Sequence, residues 1–238
     1  KVGIKEIYQI GGAQAIASLA YGTKKIKKVN KIVGPGNIFV STAKKEVYGD
    51  VGIDIIAGPS EITVVADKFS NPDWIASDLL AQAEHDINSK CILISKDKIF
   101  INKLKISISN QLKVLPRKLI AKKSLLSNGI IIHAISDKQV IELCNIIAPE
   151  HLELSIANYK IFLDKIINAG SICLGKYSAM AVTDYIAGSN HVLPTNFSAK
   201  FSSGLSVYDF YKRISYINLS KKGIESIAEQ AINLATYE

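Results

Sequence analysis

The sequence predicts an α/β protein: parallel strands in Rossmann-like sheets, flanked by helices and followed by a helical tail. Three observations carry that prediction. Short continuous apolar runs such as KCILIS (90–95), GIIIHAI (129–135) and SICLG (171–175) have the length and makeup of strands buried on both faces. Amphipathic stretches of helical period alternate with them, the pattern of α/β units. Near Leu205 the alternation stops, and the remaining residues read as helix only.

From the amino end, GGAQAIASLAYGT (11–23) opens a small-residue helix on a Gly-Gly turn. KIVGPGNIFVSTAKKEVYG (31–49) reads as strand, Gly-Pro-Gly turn and helix. VGIDIIAGPSEITVVAD (51–67) is a pair of apolar runs broken at Gly58-Pro59. NPDWIASDLLAQAEHD (71–86) is a helix entered through Asn71-Pro72, with proline suited to a first turn. A lysine-rich amphipathic helix, interrupted at Pro116, spans 99–127. SDKQVIELCNIIAPEHLEL (136–154) reads as a helix capped by Ser136 or Asp137 and stopped near Pro149. IFLDKIINAGSICLG (161–175) reads as helix, glycine turn and strand, and Ser220 is an N-cap for the terminal helix.

Composition narrows the function. The chain of 238 residues is long enough for a sizeable core. No apolar run is long enough to cross a bilayer, so no membrane partner is expected. The net charge is 29 − 21 = +8, which raises the question of nucleic acid. However, Arg117 and Arg213 are the only arginines, and the lysine clusters at 24–31 and 117–123 lack interleaved aromatic residues. Phosphate forks and base readout favour arginine, and stacking needs aromatic rings, so nucleic acid is not expected either. Cys91, Cys144 and Cys173 show no CxxC spacing and read as buried, inert thiols. No signal-peptide pattern opens the chain, and the expected compartment is the cytoplasm. The chain starts at Lys1 without a methionine and ends inside a helical pattern, which reads as a fragment and leaves an organellar leader open.

Several stretches bear chemistry. Gln82 and His85 in LLAQAEHD stand three residues apart on one helical face, either a polar surface stripe or half of a metal site. GGAQ and VGPGN are glycine turns before helices, where backbone amides can approach an anion, or where the chain simply turns. Ser60 in AGPSE follows a Gly-Pro break and is not a nucleophile elbow. Glu150 and His151 in APEHLEL put a carboxylate beside an imidazole directly after a helix-stopping proline, either a proton-transfer pair or a solvated helix end. Asp184 and His191 in TDYIAGSNHVLPT are ligand types suited to a divalent metal. His133, inside GIIIHAI, reads as a core residue.

Taken in order, GGAQAIASLAYGT, KIVGPGNIFVSTAK, IDIIAGPSE, LLAQAEHD, APEHLEL, AGSNHVLPT and FSSGLSVYDFYKR resemble histidinol dehydrogenase along essentially the whole chain. The resemblance implies a zinc enzyme that oxidises L-histidinol through L-histidinaldehyde to L-histidine with two NAD+, in a homodimer whose partner chain completes the zinc site. It implies Gln82, His85 and Asp184 as zinc ligands, and Glu150 and His151 as the catalytic pair. Substrate contacts fall on Ser60, Gln82, His85, His151, Asp184, His191 and Glu238, and NAD+ contacts on Gln14 and Asn37. Residues 1–59 then form part of a second Rossmann-like domain, 60–205 part of the first, and 206–238 the start of a helical dimerisation tail. Thr183 stands where the family usually has glycine, which is expected to shift the backbone beside Asp184 slightly. The isolated 238-residue chain is expected to be inactive. Two alternatives use the same residues: a zinc hydrolase that needs no NAD+, and an inactive relic of the family.

Overall fold

The structure, a computed structural model, describes residues 3–238. The chain divides into two compact units, Lys1–Ser206 and Val207–Glu238.

The first unit opens with α1 (Gly12–Tyr21), β1 (Lys31–Ile32), α2 (Ile38–Glu46) and β2 (Gly52–Ile53). β1 and β2 pair in parallel, and Ile16, Ala20, Ile32, Val47 and Val51 form a small core beneath the two helices. Asn37 caps α2 by accepting a hydrogen bond from Val40 N at 3.2 Å. Lys44 and Asp54 form a buried ion pair that grips the turn before α2. Lys44 Nζ donates to Gly34 O at 3.0 Å, and Gly34 N donates to Asp54 Oδ2 at 2.7 Å. Gly34 has φ +123°, a conformation that only glycine adopts freely.

The rest of the unit is built on β3 (Glu61–Ala66), α3 (Pro72–Ala83), β4 (Lys90–Ser95), α4 (Lys98–Val114), α5 (Lys118–Asn128), β5 (Gly129–His133), α6 (Asp137–Ile147), β6 (His151–Ser155), β7 (Ser171–Leu174) and α7 (Met180–Tyr185). All five strands are parallel, in the order β5-β4-β3-β6-β7. Strand alternation splits the core into two layers. Ile62, Val64, Cys91 and Leu93 face α3, α4 and α5, while Val65, Ile92, Ile94, Leu152 and Leu154 face α6. Each fully buried leucine contributes about 1.5–3 kcal/mol of apolar transfer. The expected parallel, helix-covered sheet is therefore what forms.

Local signals explain the helix starts. Asn71 accepts from Asp73 N at 2.8 Å ahead of Pro72, and Ser136 accepts from Gln139 N at 3.2 Å. In α3, Ile75, Ala76, Leu79, Leu80 and Ala83 recur at helical spacing and are buried.

The second unit holds a 3-10 turn at Val207–Phe210 and α8 (Lys221–Tyr237). Ser220 caps α8, accepting from Gly223 N at 3.1 Å.

Four expectations change. HLEL, expected at a helix end, is strand β6, fully buried between β3 and β7. Ala148, at φ 46° in the left-handed region, breaks α6, and the chain turns into the sheet at Pro149. The helix expected within 161–168 reduces to one 3-10 turn, Tyr159–Phe162. Asn145 Oδ1 takes the amides of Ile167 (2.9 Å) and Asn168 (3.2 Å) that a helix would have used. His133 is exposed on the edge strand β5, its Nε2 3.2 Å from Lys96 O. Finally, α3 ends at Ala83 with Glu84 as its C-cap, so His85 stands in the turn beyond the helix rather than on its face.

Candidate active site

The site is built where strands begin. His151 is the first residue of β6, level with Ile62 of β3 and Ser171 of β7. Glu150 precedes it, and its place is fixed from three sides. Glu150 Oε2 accepts from Glu61 N at 3.0 Å, Glu150 O accepts from Ser171 N at 2.9 Å, and Gly170 N donates to Pro149 O at 2.9 Å. Glu150 and His151 are 6% and 3% exposed, which excludes the reading of a solvated helix end.

His151 Nε2 lies 3.8 Å from Glu150 Oε1 and 3.8 Å from Asp184 Oδ2. Asp184 Oδ2 in turn lies 3.3 Å from His191 Nδ1. Asp184 is carried by α7, whose Met180 packs into the same apolar layer as Leu79, Leu80 and Ala83 of α3. The structure thus joins Glu150, His151, Asp184 and His191 into one chain of contacts. His151 Nδ1 is buried without a hydrogen-bond partner, which leaves one ring nitrogen for a group the chain does not supply.

Burial dominates the electrostatics. It lifts the Glu150 carboxyl to about 8, against the hydrogen bond from Glu61 N, and the charges of Glu61 and Asp184 push the same way. It lowers His151 below the usual histidine range, although Asp184 pulls upward. A neutral imidazole can accept a proton, and a carboxyl poised near 8 can release and recover one close to neutral pH.

The remaining expected residues are spread more widely. Ser60 immediately precedes β3, and its carbonyl accepts from Lys90 N at 3.1 Å. Gln82 is buried at 3% in the last turn of α3. His85 is exposed, with its amide bonded to Gln82 O at 3.2 Å and its carbonyl 3.4 Å from Arg117 Nη2. Gln14 and Asn37 are exposed at the starts of α1 and α2, beside the smaller sheet. Glu238 ends the second unit.

Thr183 is accommodated inside α7. Its Oγ1 donates to Met180 O at 2.8 Å and lies 3.3 Å from Cys173 Sγ, and its carbonyl accepts from Ser189 Oγ at 2.7 Å. All three cysteines are buried and free. Burial pushes the Cys91 and Cys144 thiols up to about 12 and Cys173 to about 11, so none supplies a thiolate nucleophile.

Among the described residues, no group of three or more His, Cys, Asp or Glu side chains is placed to hold a metal. The expected set, Gln82, His85 and Asp184, includes an amide and so contributes only two such residues. It is an N/O donor set of the kind zinc accepts, with buried Gln82 on α3 and half-buried Asp184 on α7, two helices that share one core layer. Sequence reasoning missed two residues around the site. Glu61 orients Glu150 through its backbone, and Glu153 sits buried on β6. Glu153 is legible only once HLEL is recognised as a strand, because alternation then puts it on the same face as His151.

This fold and site define a parallel α/β protein with a buried carboxyl–imidazole pair of acid–base character. A family model described as Histidinol dehydrogenase matches residues 1–238, and the chain belongs to that family. It is 67% identical over 239 residues to histidinol dehydrogenase of Pelagibacter ubique (strain HTCC1062), covering 100% of this chain and 56% of that protein. It is 50% identical over 236 residues to the Streptococcus mutans enzyme of the same name, covering 99% of this chain and 55% of the relative. The crystal structure of histidinol dehydrogenase from Elizabethkingia anophelis superposes with a TM-score of 0.91 at 43% identity, covering 99% of this chain and 54% of that one. The chain therefore spans about half the length of the relatives it matches.

Proposed function

We propose that the protein containing this chain oxidises L-histidinol to L-histidine through L-histidinaldehyde, the last step of histidine biosynthesis. The observation that carries the proposal is the contact chain Glu150–His151–Asp184–His191, with its Glu150–His151 pair buried, in a member of this family. Gln82, His85 and Asp184 would hold zinc, with a further ligand from the partner chain of a homodimer. Zinc, when bound, supplies a template for the imidazole and amine of the substrate. NAD+ accepts the hydride, and Gln14 and Asn37 are its proposed contacts.

The chain's own residues do the rest. Neutral His151 takes the hydroxyl proton of the alcohol. Glu150 takes a proton from the water that adds to the aldehyde, and His151 acts again on the hydrate. Ser60, Gln82, His85, His151, Asp184, His191 and Glu238 are the proposed substrate contacts, whose part is to fix the reacting carbon relative to these two bases.

The test is NADH absorbance in the full-length protein supplied with L-histidinol, NAD+ and Zn2+. The expected result is two NADH per histidinol, with His151→Ala and Glu150→Ala each slowed by about 10²–10⁴-fold. No NADH from the folded, zinc-loaded protein would overturn the proposal and leave the hydrolase and relic readings.

A further inference from the structure

Glu153 has no part in the chemistry above, yet it is 2% exposed in the middle of β6. Alternation along the strand turns it to the face of His151, beside Val64 of β3. That face is otherwise an apolar layer of Ile62, Val64, Leu79, Leu80 and Met180. Glu153 Oε1 accepts from Met180 N, at the first residue of α7, at 2.6 Å. Its side chain also hydrogen-bonds to that of Asp78 on α3. Two carboxyl groups can share a hydrogen bond only if one of them carries a proton, because ionised carboxylates are acceptors alone.

No cation intervenes. Among the described residues, no ion pair reaches Asp78 or Glu153. The other titratable group close to both is the Cys173 thiol on β7, which also feels Asp184 of α7. The titratable neighbours are thus neutral or negative, and the Met180 amide offsets part of one charge only, so a second charge on the pair is disfavoured. Each element the pair joins also carries a residue of the proposed site: Gln82 on α3, His151 on β6 and Asp184 on α7.

We propose that Asp78 and Glu153 share a single proton, and that Glu153 is a positioning residue that fastens α3, β6 and α7 so that Gln82, His151 and Asp184 are presented together. Burial acts in the required direction, lifting Glu153 to about 8 and Asp78 to about 6. What is positioned rests on the function proposed above; the shared proton does not.

The test uses the full-length protein with Glu153→Gln, Asp78→Asn and Glu153→Leu. Gln and Asn keep the hydrogen bond without a titrating proton, and Leu removes it. At pH 6.5, the infrared difference between wild type and Glu153→Gln should contain a protonated-carboxyl C=O band, which Asp78→Asn also loses. Zinc affinity by chelator competition should stay near wild type in Glu153→Gln and fall by about tenfold or more in Glu153→Leu, as for other residues that orient metal ligands. Thermal stability of the wild type should decline as pH rises from 6 to 9, and that of Glu153→Gln should stay flatter. Absence of the band, or wild-type zinc affinity in Glu153→Leu, overturns the proposal. If Glu153→Leu does not fold, the infrared band and the pH profile of Glu153→Gln decide the matter. A wild type that binds zinc and shows the band but forms no NADH would sink the proposed function and leave this one standing.

Discussion

Gly170→Ala tests how tightly the backbone holds Glu150. A Cβ at Gly170 would stand 2.6 Å from Glu150 O, with Pro194 Cδ at 3.1 Å and Cγ at 3.3 Å closing the other side. Ordinary contact begins at 3.4 Å, so the Glu150 carbonyl must retreat by 3.4 − 2.6 = 0.8 Å. That carbonyl also accepts the Ser171 amide at the start of β7. Gly170 does not have a positive φ, so the effect is one of space and not of backbone conformation. Overpacking of this kind costs about 1–3 kcal/mol. For the full-length protein, about twice as long as this chain, that lowers Tm by about 1–6 °C. Misplacing a catalytic group by about 1 Å costs up to ~100-fold, so kcat should fall by about tenfold or more. The assay is a thermal melt together with NADH formation in the full-length protein. Wild-type Tm and kcat in Gly170→Ala would refute the claim that Glu150 is wedged between β3, β7 and Pro194.

Two buried ionisable groups give further tests. Lys44→Met leaves Asp54, 1% exposed on its side chain, without a cation under the Gly34 turn; urea denaturation should show a loss of about 3–5 kcal/mol, much of it regained when Asp54→Leu is added. Glu150→Gln should flatten the pH dependence of stability: the Glu150 carboxyl titrates near 8 folded against 4.5 unfolded, so its contribution is complete below 4.5 and lost as pH rises through 8. The urea midpoint of the metal-free protein should therefore fall more between pH 5 and pH 8 in wild type than in the variant, and equal falls would count against a buried, protonated Glu150.

The sequence makes the layers of this fold legible because their signals are local. KCILIS and GIIIHAI need only a run of apolar residues, and Asn71-Pro72 and Ser136 need only a cap. What escaped depends on distant partners. HLEL carries a charged residue in mid-strand, and it becomes a central strand because β3 and β7 bracket it and Asp78 meets Glu153. His133 looks like core by composition, yet its strand is an edge, and edge position is a property of topology. In the site, residue types pointed to Glu150, His151, Asp184 and His191, but neither their separations nor their burial could be read from spacing. His85 shows the converse. The three-residue interval from Gln82 survives, but through a turn hydrogen bond after the helix has ended, so the spacing held while the element assigned to it did not.

The position of the site also carries an argument. In open parallel sheets, ligands are expected beyond the carboxyl ends of strands. Here Glu61, Lys90, His151 and Ser171 all begin their strands, so the contact chain lies at the opposite, amino-terminal edge. Helices α3 and α6 run into that edge with their carboxyl ends, because each leads into the start of the next strand. A helix carboxyl end carries partial negative charge and unsatisfied carbonyls. Added to Asp184, it makes the edge a place for a cation, and an unfavourable one for a pyrophosphate. The amino ends of α1 and α2, behind the glycine turns at Gly11-Gly12 and Gly34–Gly36, have the opposite polarity, which suits an anion. The proposed division, zinc with Gln82, His85 and Asp184 and NAD+ with Gln14 and Asn37, therefore follows helix polarity.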